Sequence, residues 1–292
     1  MSTESDATPD ELRARARRRW EAQAPIWERE RAWFDAAVDP VAHAMIDAIA
    51  PQPGHVVLEA AAGLGETGLL AAELVHPGGR VILSDGAEAM VAAARRHAEE
   101  RGIQNVEASA MELEWLDMPA ASVDALLVRF GYMHVQDPET ALRDARRVLR
   151  PGGRLAFAVW DRVEDNPWLG AAMEVLHRHG LLETWPVPDS EPNPFALASR
   201  ERLEELVGGA GFVLPQTDRI EVRFRSASAA EHRQRVLEIS DRAARALQDV
   251  AGEGRTAIEA EIDAAYAAFP DPDGPEGAVA VPGGALVIAA DA

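Results

Sequence analysis

Two hydrophobic rhythms alternate along the first half of this chain. Short apolar runs without helical spacing, at 56–58, 80–84, 105–109, 122–128 and 154–160, read as buried parallel strands. Between them, apolar residues recur every three or four positions. They do so from Glu66 onward (Leu69, Leu70, Leu74, Val75), over 87–101, and over 137–149 (Ala141, Leu142, Ala145, Val148, Leu149). Strand and helix in alternation predict an open α/β sheet with helices on both faces. Ahead of it, residues 10–50 are helical in pattern, anchored by Trp20, Ile26, Trp27, Trp33 and Phe34 and expected to break at Pro25 and Pro40. Residues 1–9 read as disordered. After residue 160 the order changes: a helix over 166–182, a proline-rich loop over 185–194, a helix over 200–209 and a sixth strand within 211–224. Amphipathic helices over 229–250 and 254–269 then precede a turn at 271–277, expected to be mobile, and a last strand over 285–290. The late helix pair reads as a cap over a substrate pocket, or as a dimer interface.

The stretch 55–68 carries the chemistry. A strand, a glycine turn and a helix in succession present helix N-terminal N–H groups to a small ligand. Gly63, Gly65 and Gly68 satisfy G-x-G-x-x-G, and Asp85 stands twenty residues after Gly65, as in dinucleotide sites. Glu66 argues against that reading, because a carboxylate where a diphosphate would meet the helix repels it. Glu59 at the strand tip adds a second negative charge. A ligand with an ammonium or sulfonium group and no phosphate suits such a loop better.

At this point the sequence resembles the class I S-adenosylmethionine (SAM) methyltransferases, in the small-molecule branch related to the ubiquinone/menaquinone biosynthesis methyltransferases. Their first motif is an acid followed by alternate glycines, D/E-x-G-x-G-x-G, matched here by Glu59, Ala61, Gly63 and Gly65. Ala61 replaces the first glycine; an alanine prefers negative φ and brings a methyl group to the turn. The resemblance continues through Asp85, the segment 111–119, the loop 129–135 and the Arg-Pro-Gly-Gly turn at 150–153. It implies a Rossmann-like seven-stranded sheet, with 1–50 as a helical lid, 51–160 as the SAM-binding core, and 161–292 as the last two strands with a helical cap. It implies that Asp85 binds ribose beside Gly86, that Glu112 and Leu113 meet adenine, and that Trp27 of the N-terminal segment touches the cofactor. Arg129 is then a partner for the methionine carboxylate, Phe130 and Tyr132 face the acceptor, and His134 is a candidate base suited to proton removal near pH 7. Each also has a structural alternative: helix cap for Asp85, surface acid for Glu112, a nearby Glu for Arg129, packing for Trp27 and His134.

Composition narrows the chemistry. The chain has no cysteine and no lysine, its 29 basic residues all being arginine. Thiol nucleophiles, cysteine–metal sites, Schiff bases, a Walker lysine and the Tyr-x-x-x-Lys pair are thereby excluded. A formal net charge of −20 argues against nucleic acid; the run from Arg13 to Arg19 reads mainly as a solvated helix face. No apolar run reaches membrane-spanning length, the N-terminal residues lack a signal-peptide pattern, and no metal-ligand spacing is evident. The expectation is a cytoplasmic enzyme without a metal that converts SAM to S-adenosylhomocysteine (SAH) while methylating O, N or C of a small acceptor, with secondary metabolism as the setting. The alternatives are an NAD(P)-dependent reductase and a non-catalytic binding protein of the same fold.

Overall fold

Thr8 and Glu11 close a capping box that starts a 41-residue helix, α1 (Pro9–Ile49). The computed structural model describes residues 8–188 and 191–292, so of the disorder expected over 1–9, residues 1–7 lie outside the described residues; Thr8 and Pro9 belong to the helix start. Pro25 and Pro40 were expected to break this segment, yet both lie inside one helix. An interior proline costs about 3 kcal/mol, and burial of one face offsets it: Trp33, Phe34, Val38, Val41 and Met45 are all buried in the core.

The sheet has seven strands: β1 (Val56–Ala60), β2 (Arg80–Asp85), β3 (Val106–Ala110), β4 (Val123–Arg129), β5 (Leu149–Trp160), β6 (Val213–Ser226) and β7 (Val279–Asp291). Their order is β3-β2-β1-β4-β5-β7-β6. The strands from β3 to β5 pair in parallel, whereas β7 is antiparallel to both neighbours. Because β1 lies between β2 and β4, the loops leaving β1 and β4 diverge and open a crevice at their C-terminal ends. The helices are α2 (Glu66–Leu74), α3 (Glu88–Glu100), α4 (Pro138–Val148), α5 (Pro167–Arg178), α6 (Arg200–Gly209), α7 (Ala229–Ile239), α8 (Asp241–Leu247) and α9 (Gly252–Ala267).

Three local departures from expectation have physical causes. β1 continues through Glu59, because the carboxylate accepts a hydrogen bond from the Gly68 N–H at 2.7 Å and so can be buried. The run 150–153 lies within β5 as a register shift against β4, with Gly152 at φ +79°, instead of preceding the strand. The helix expected over 229–250 divides at Ser240, whose hydroxyl accepts from the Ala243 N–H and starts α8. Among the described residues, no helix is long and apolar enough to cross a membrane.

Candidate active site

At the C-terminal ends of β1, β2 and β4 lies a cavity of about 290 Å³. Its floor is the loop after β1. Ala61 was expected to keep a negative φ; it instead adopts φ +50°, the left-handed conformation its place in the motif requires, with Gly63 at +53° and Gly65 at +83°. For alanine this costs about 1–2 kcal/mol. Three hydrogen bonds hold the loop in place: Ala62 N–H to the Ser84 carbonyl (2.8 Å), Gly63 N–H to Asp85 Oδ2 (2.9 Å) and Gly65 N–H to the Ala62 carbonyl (2.8 Å).

The N-cap of α3 is Ala87, with no side-chain cap, so Asp85 is not the helix cap of its structural alternative; it lines the cavity. Its Oδ1 accepts from the Ala87 N–H at the start of α3, and burial lifts its pKa to about 6. Gly86 is confined by Glu112, since a Cβ there would stand 2.9 Å from Glu112 Oε2. Glu112 also pairs with Arg17 of α1 at 3.3 Å. Ala61, Gly63, Leu113, Arg129, Phe130, His134 and Trp27 all line the cavity as well.

Three expected residues do not line it. Glu59 is only 1% exposed and lies behind the loop, its pKa lifted to about 7 by burial despite the nearby Arg129. Gly65 is the cap residue of α2, where a Cβ would come 2.8 Å from Leu83 Cδ1. Tyr132 turns away into the core against Phe157, ring centroids 5.0 Å apart, and burial raises its pKa.

The electrostatics also depart from the sequence reading. Glu66 is not a free negative charge: Arg31 (3.3 Å) and Arg101 both pair with it, so its repulsion of phosphate is largely compensated. Arg129 pairs with Asp35 of α1 at 3.1 Å and, among the described residues, with no glutamate. His134 does not titrate near neutrality. It sits edge-on to Trp20 (5.3 Å), and burial, reinforced by Arg19, pulls its pKa down to about 3.

The other wall is aromatic. Phe130 stacks on Trp160 (4.1 Å, 11°), and Phe34 meets Trp27, Phe130, Trp160 and Trp168 edge-on. Trp160 and Trp168 were not assigned to the site from sequence, although Trp160 closes the fifth strand at the end where such sheets bind ligands. Trp168 is clamped from several sides. Its indole N–H donates to Asn166 Oδ1 (3.1 Å), and its carbonyl accepts from the Tyr266 hydroxyl (3.0 Å) and lies 3.1 Å from His232 Nε2. Since α7 carries His232 and α9 carries Tyr266, the cap helices hold this wall in place. Tyr266→Phe is expected to cost about 1–2 kcal/mol in thermal unfolding, as a buried carbonyl loses a donor, and to alter the near-UV tryptophan dichroism.

The glycines fit an elongated cofactor in this crevice. A Cβ at Gly131 would lie 2.7 Å from both Ala61 Cβ and Val128 Cγ1, whereas one at Gly63 would meet nothing within 4 Å, so the loop is bare on its cavity side. The Trp27 indole nitrogen is buried without a partner among the described residues.

Comparison with known proteins agrees with this geometry. The chain matches the Methyltransferase domain family over residues 59–157. It is 34% identical over 190 residues to a 37.1 kDa protein in transposon TN4556 of Streptomyces fradiae, covering 64% of this chain and 52% of that one. It is also 34% identical over 178 residues to the ubiquinone/menaquinone biosynthesis C-methyltransferase UbiE of Hahella chejuensis, covering 58% of this chain and 71% of the relative. In fold it is similar to the YcgJ protein from Bacillus subtilis (TM-score 0.55, 20% identity, 86% of this chain and 97% of that one). The chain spans about half the length of two of the curated relatives it matches. Motif, strand order and relatives together show that this chain belongs to the class I SAM-dependent methyltransferases.

Proposed function

We propose that the protein methylates an O, N or C nucleophile of a small, largely apolar aromatic acceptor, using SAM. The observation that carries the acceptor class is the stacked Phe130–Trp160 pair, with Phe34 and Trp168, walling the cavity beside the glycine loop. In this reading Asp85 takes the ribose hydroxyls, Gly86, Glu112 and Leu113 surround the adenine, and Trp27 closes over the cofactor from α1. When bound, SAM supplies a methyl group already activated on a sulfonium. The protein's share of the work is alignment and exclusion of water. The first half of α1 acts as the lid. It is pinned by Arg13 to Glu114 (2.9 Å), and Glu21 accepts from the Glu88 and Ala89 N–H groups that no side chain of α3 caps. Secondary metabolism in the cytoplasm fits this reading, with the cap helices available for a homodimer contact; the net charge of −20 disfavours nucleic acid as acceptor.

His134 enters this scheme as a neutral hydrogen-bonding group. A base held near 3 gives little drive to proton removal at neutral pH, so the acceptor arrives ionised, or releases its proton to solvent after the methyl has moved. His134→Ala is therefore expected to lower kcat less than about tenfold, whereas loss of a tuned general base costs about 100-fold or more. SAH affinity should not change. A steep loss of kcat, together with loss of a limb near pH 6.5, would show that His134 is the base.

The function itself is tested by calorimetry with SAH and with NADH, followed by transfer of labelled methyl from SAM to a panel of phenols, anilines and electron-rich arenes. SAH binding with turnover on an aromatic member supports the proposal. NADH binding without SAH binding overturns it.

A further inference from the structure

Arg19 departs from the solvated face expected of its run. Arg15, Arg17 and Arg18 are exposed, but Arg19 is half-buried. Its guanidinium carbon lies 5.3 Å from the centre of the Trp20 ring, and among the described residues it donates no hydrogen bond. Trp20 in turn meets His134 edge-on, and both line the cavity with Ile239 and Ser240, where α7 passes into α8. Arg19 flanks this α8 end of the cavity. Its charge acts on His134 from one side, while Asp241 and Arg245 of α8 act on it from the other.

The neighbouring charges are already committed. Arg245 pairs with Asp241, and Arg242 donates to the Thr184 carbonyl. Burial pulls the Arg19 pKa down; Asp241 offsets this in part and Arg245 deepens it. The contact with Trp20 returns about 0.5–2 kcal/mol, yet it satisfies none of the five guanidinium N–H groups. The chain has 49 acidic residues, and among the described ones none hydrogen-bonds this half-buried cation. Its donors are therefore available to an anion that comes from outside the chain.

We infer, on the SAM and aromatic-acceptor reading above, that Arg19 selects the acceptor by binding an oxyanion, a carboxylate or a phosphate monoester, at the end of the acceptor remote from the methylated atom. The planar guanidinium fork suits either group. The spacing along α1 sets the shape of the substrate. Phe34 of the aromatic wall stands fifteen residues beyond Arg19 in the same helix, about 22 Å along its axis, so a single ring cannot reach both. The substrate class is an elongated amphipathic molecule: an aromatic ring against Phe130 and Trp160, an apolar spacer, and an anion at Arg19. The two α8 arginines raise the local potential, which draws an anion to this end of a strongly acidic protein.

Calorimetry on the full chain saturated with SAH tests this with ω-(hydroxyphenyl)alkanoic acids of graded length, their primary amides and the matching ω-(hydroxyphenyl)alkyl phosphates. In wild type the best acid is expected to bind about tenfold or more tighter than its amide, the range of a charged hydrogen bond. Arg19→Gln should cut that preference to less than about twofold, with amide and SAH affinities unchanged. Arg18→Gln removes an exposed charge one residue away and should keep the preference. Either oxyanion supports the inference, and whichever of the acid and the phosphate binds tighter identifies the natural group. Equal affinity for acid and amide, no binding by any member of either anionic series, or equal loss in the two arginine variants overturns it. Should Arg19→Gln fail to fold, the wild-type acid and amide pair decides. Failure of SAH itself to bind is a different result, and removes the SAM reading on which the inference rests.

Discussion

Glu59→Gln is expected to make the protein more stable at high pH and to lose that advantage as the solution is acidified. Burial lifts the Glu59 carboxyl to about 7 from an ordinary 4.5, against the opposing pull of Arg129 and the Gly68 N–H. The unfolded chain therefore gives up this proton first. Stability from the protonated native form is complete below about 4.5 and is lost as pH rises through 7. A glutamine has no proton to lose, so between about pH 5 and pH 8 the stability of the variant relative to wild type should rise by on the order of 2 kcal/mol. Its amide oxygen can accept from Gly68, and its N–H₂ faces the Thr67 hydroxyl, buried without another hydrogen-bond partner among the described residues.

The difference between the two proteins must be measured, because wild type alone conceals the effect. His134 and His232 are pulled down to about 3 and 4 from 6.5 by burial, so they stay neutral in the fold. Their contribution is complete above 6.5 and is lost as pH falls through the lower values. Between about 4.5 and 6.5 these slopes oppose that of Glu59. Denaturant titrations of both proteins across this range check the prediction, and a pH-independent difference would show that Glu59 is not held protonated.

The parts of this architecture that follow local rules were legible in the sequence. Buried parallel strands have to be continuous apolar runs, so β1, β2 and β4 showed in composition alone. The loop after β1 showed because left-handed turns favour glycine, and Asp85 because it ends a buried strand twenty residues after Gly65, where a carboxylate can meet ribose hydroxyls or cap a helix. What could not be read were matters of tertiary company. Nothing near Glu66 in the chain announces Arg31 and Arg101, which cancel its charge, and nothing near Arg129 announces Asp35. The pKa of His134 was missed for the same reason, since its burial depends on Trp20, more than a hundred residues away. The prolines of α1 illustrate the converse, a strong local rule outweighed by burial of Trp33, Phe34 and Val38 against the sheet.

Gly68→Ala should be among the most damaging single substitutions in the core, for a reason separate from ligand binding. A Cβ at this position would come within 2.3 Å of Leu83 Cδ2, 2.7 Å of Glu59 Oε2 and 3.2 Å of Val81 Cγ1. All three neighbours are buried at 1% exposure or less, so none can swing aside into solvent. The same displacement stretches the 2.7 Å hydrogen bond from the Gly68 N–H, leaving the Glu59 carboxyl buried without its donor. Overpacking costs about 1–3 kcal/mol and a strained buried hydrogen bond about 1–3 more; at 2–4 °C per kcal/mol the thermal midpoint should fall by roughly 10 °C. Gly63→Ala is the matching control. It meets no atom within 4 Å and incurs only left-handed strain, at φ +53°, about 1–2 kcal/mol, but its methyl group enters the cavity. The expected outcome is a crossed pattern, with Gly68→Ala losing stability and Gly63→Ala losing SAH affinity. If Gly68→Ala melts within about 2 °C of wild type, the helix is free to back away from β2. The third glycine of the G-x-G-x-x-G run would then have no packing role, whereas the crossed pattern gives that glycine a role independent of any ligand: it lets α2 lie directly on the sheet.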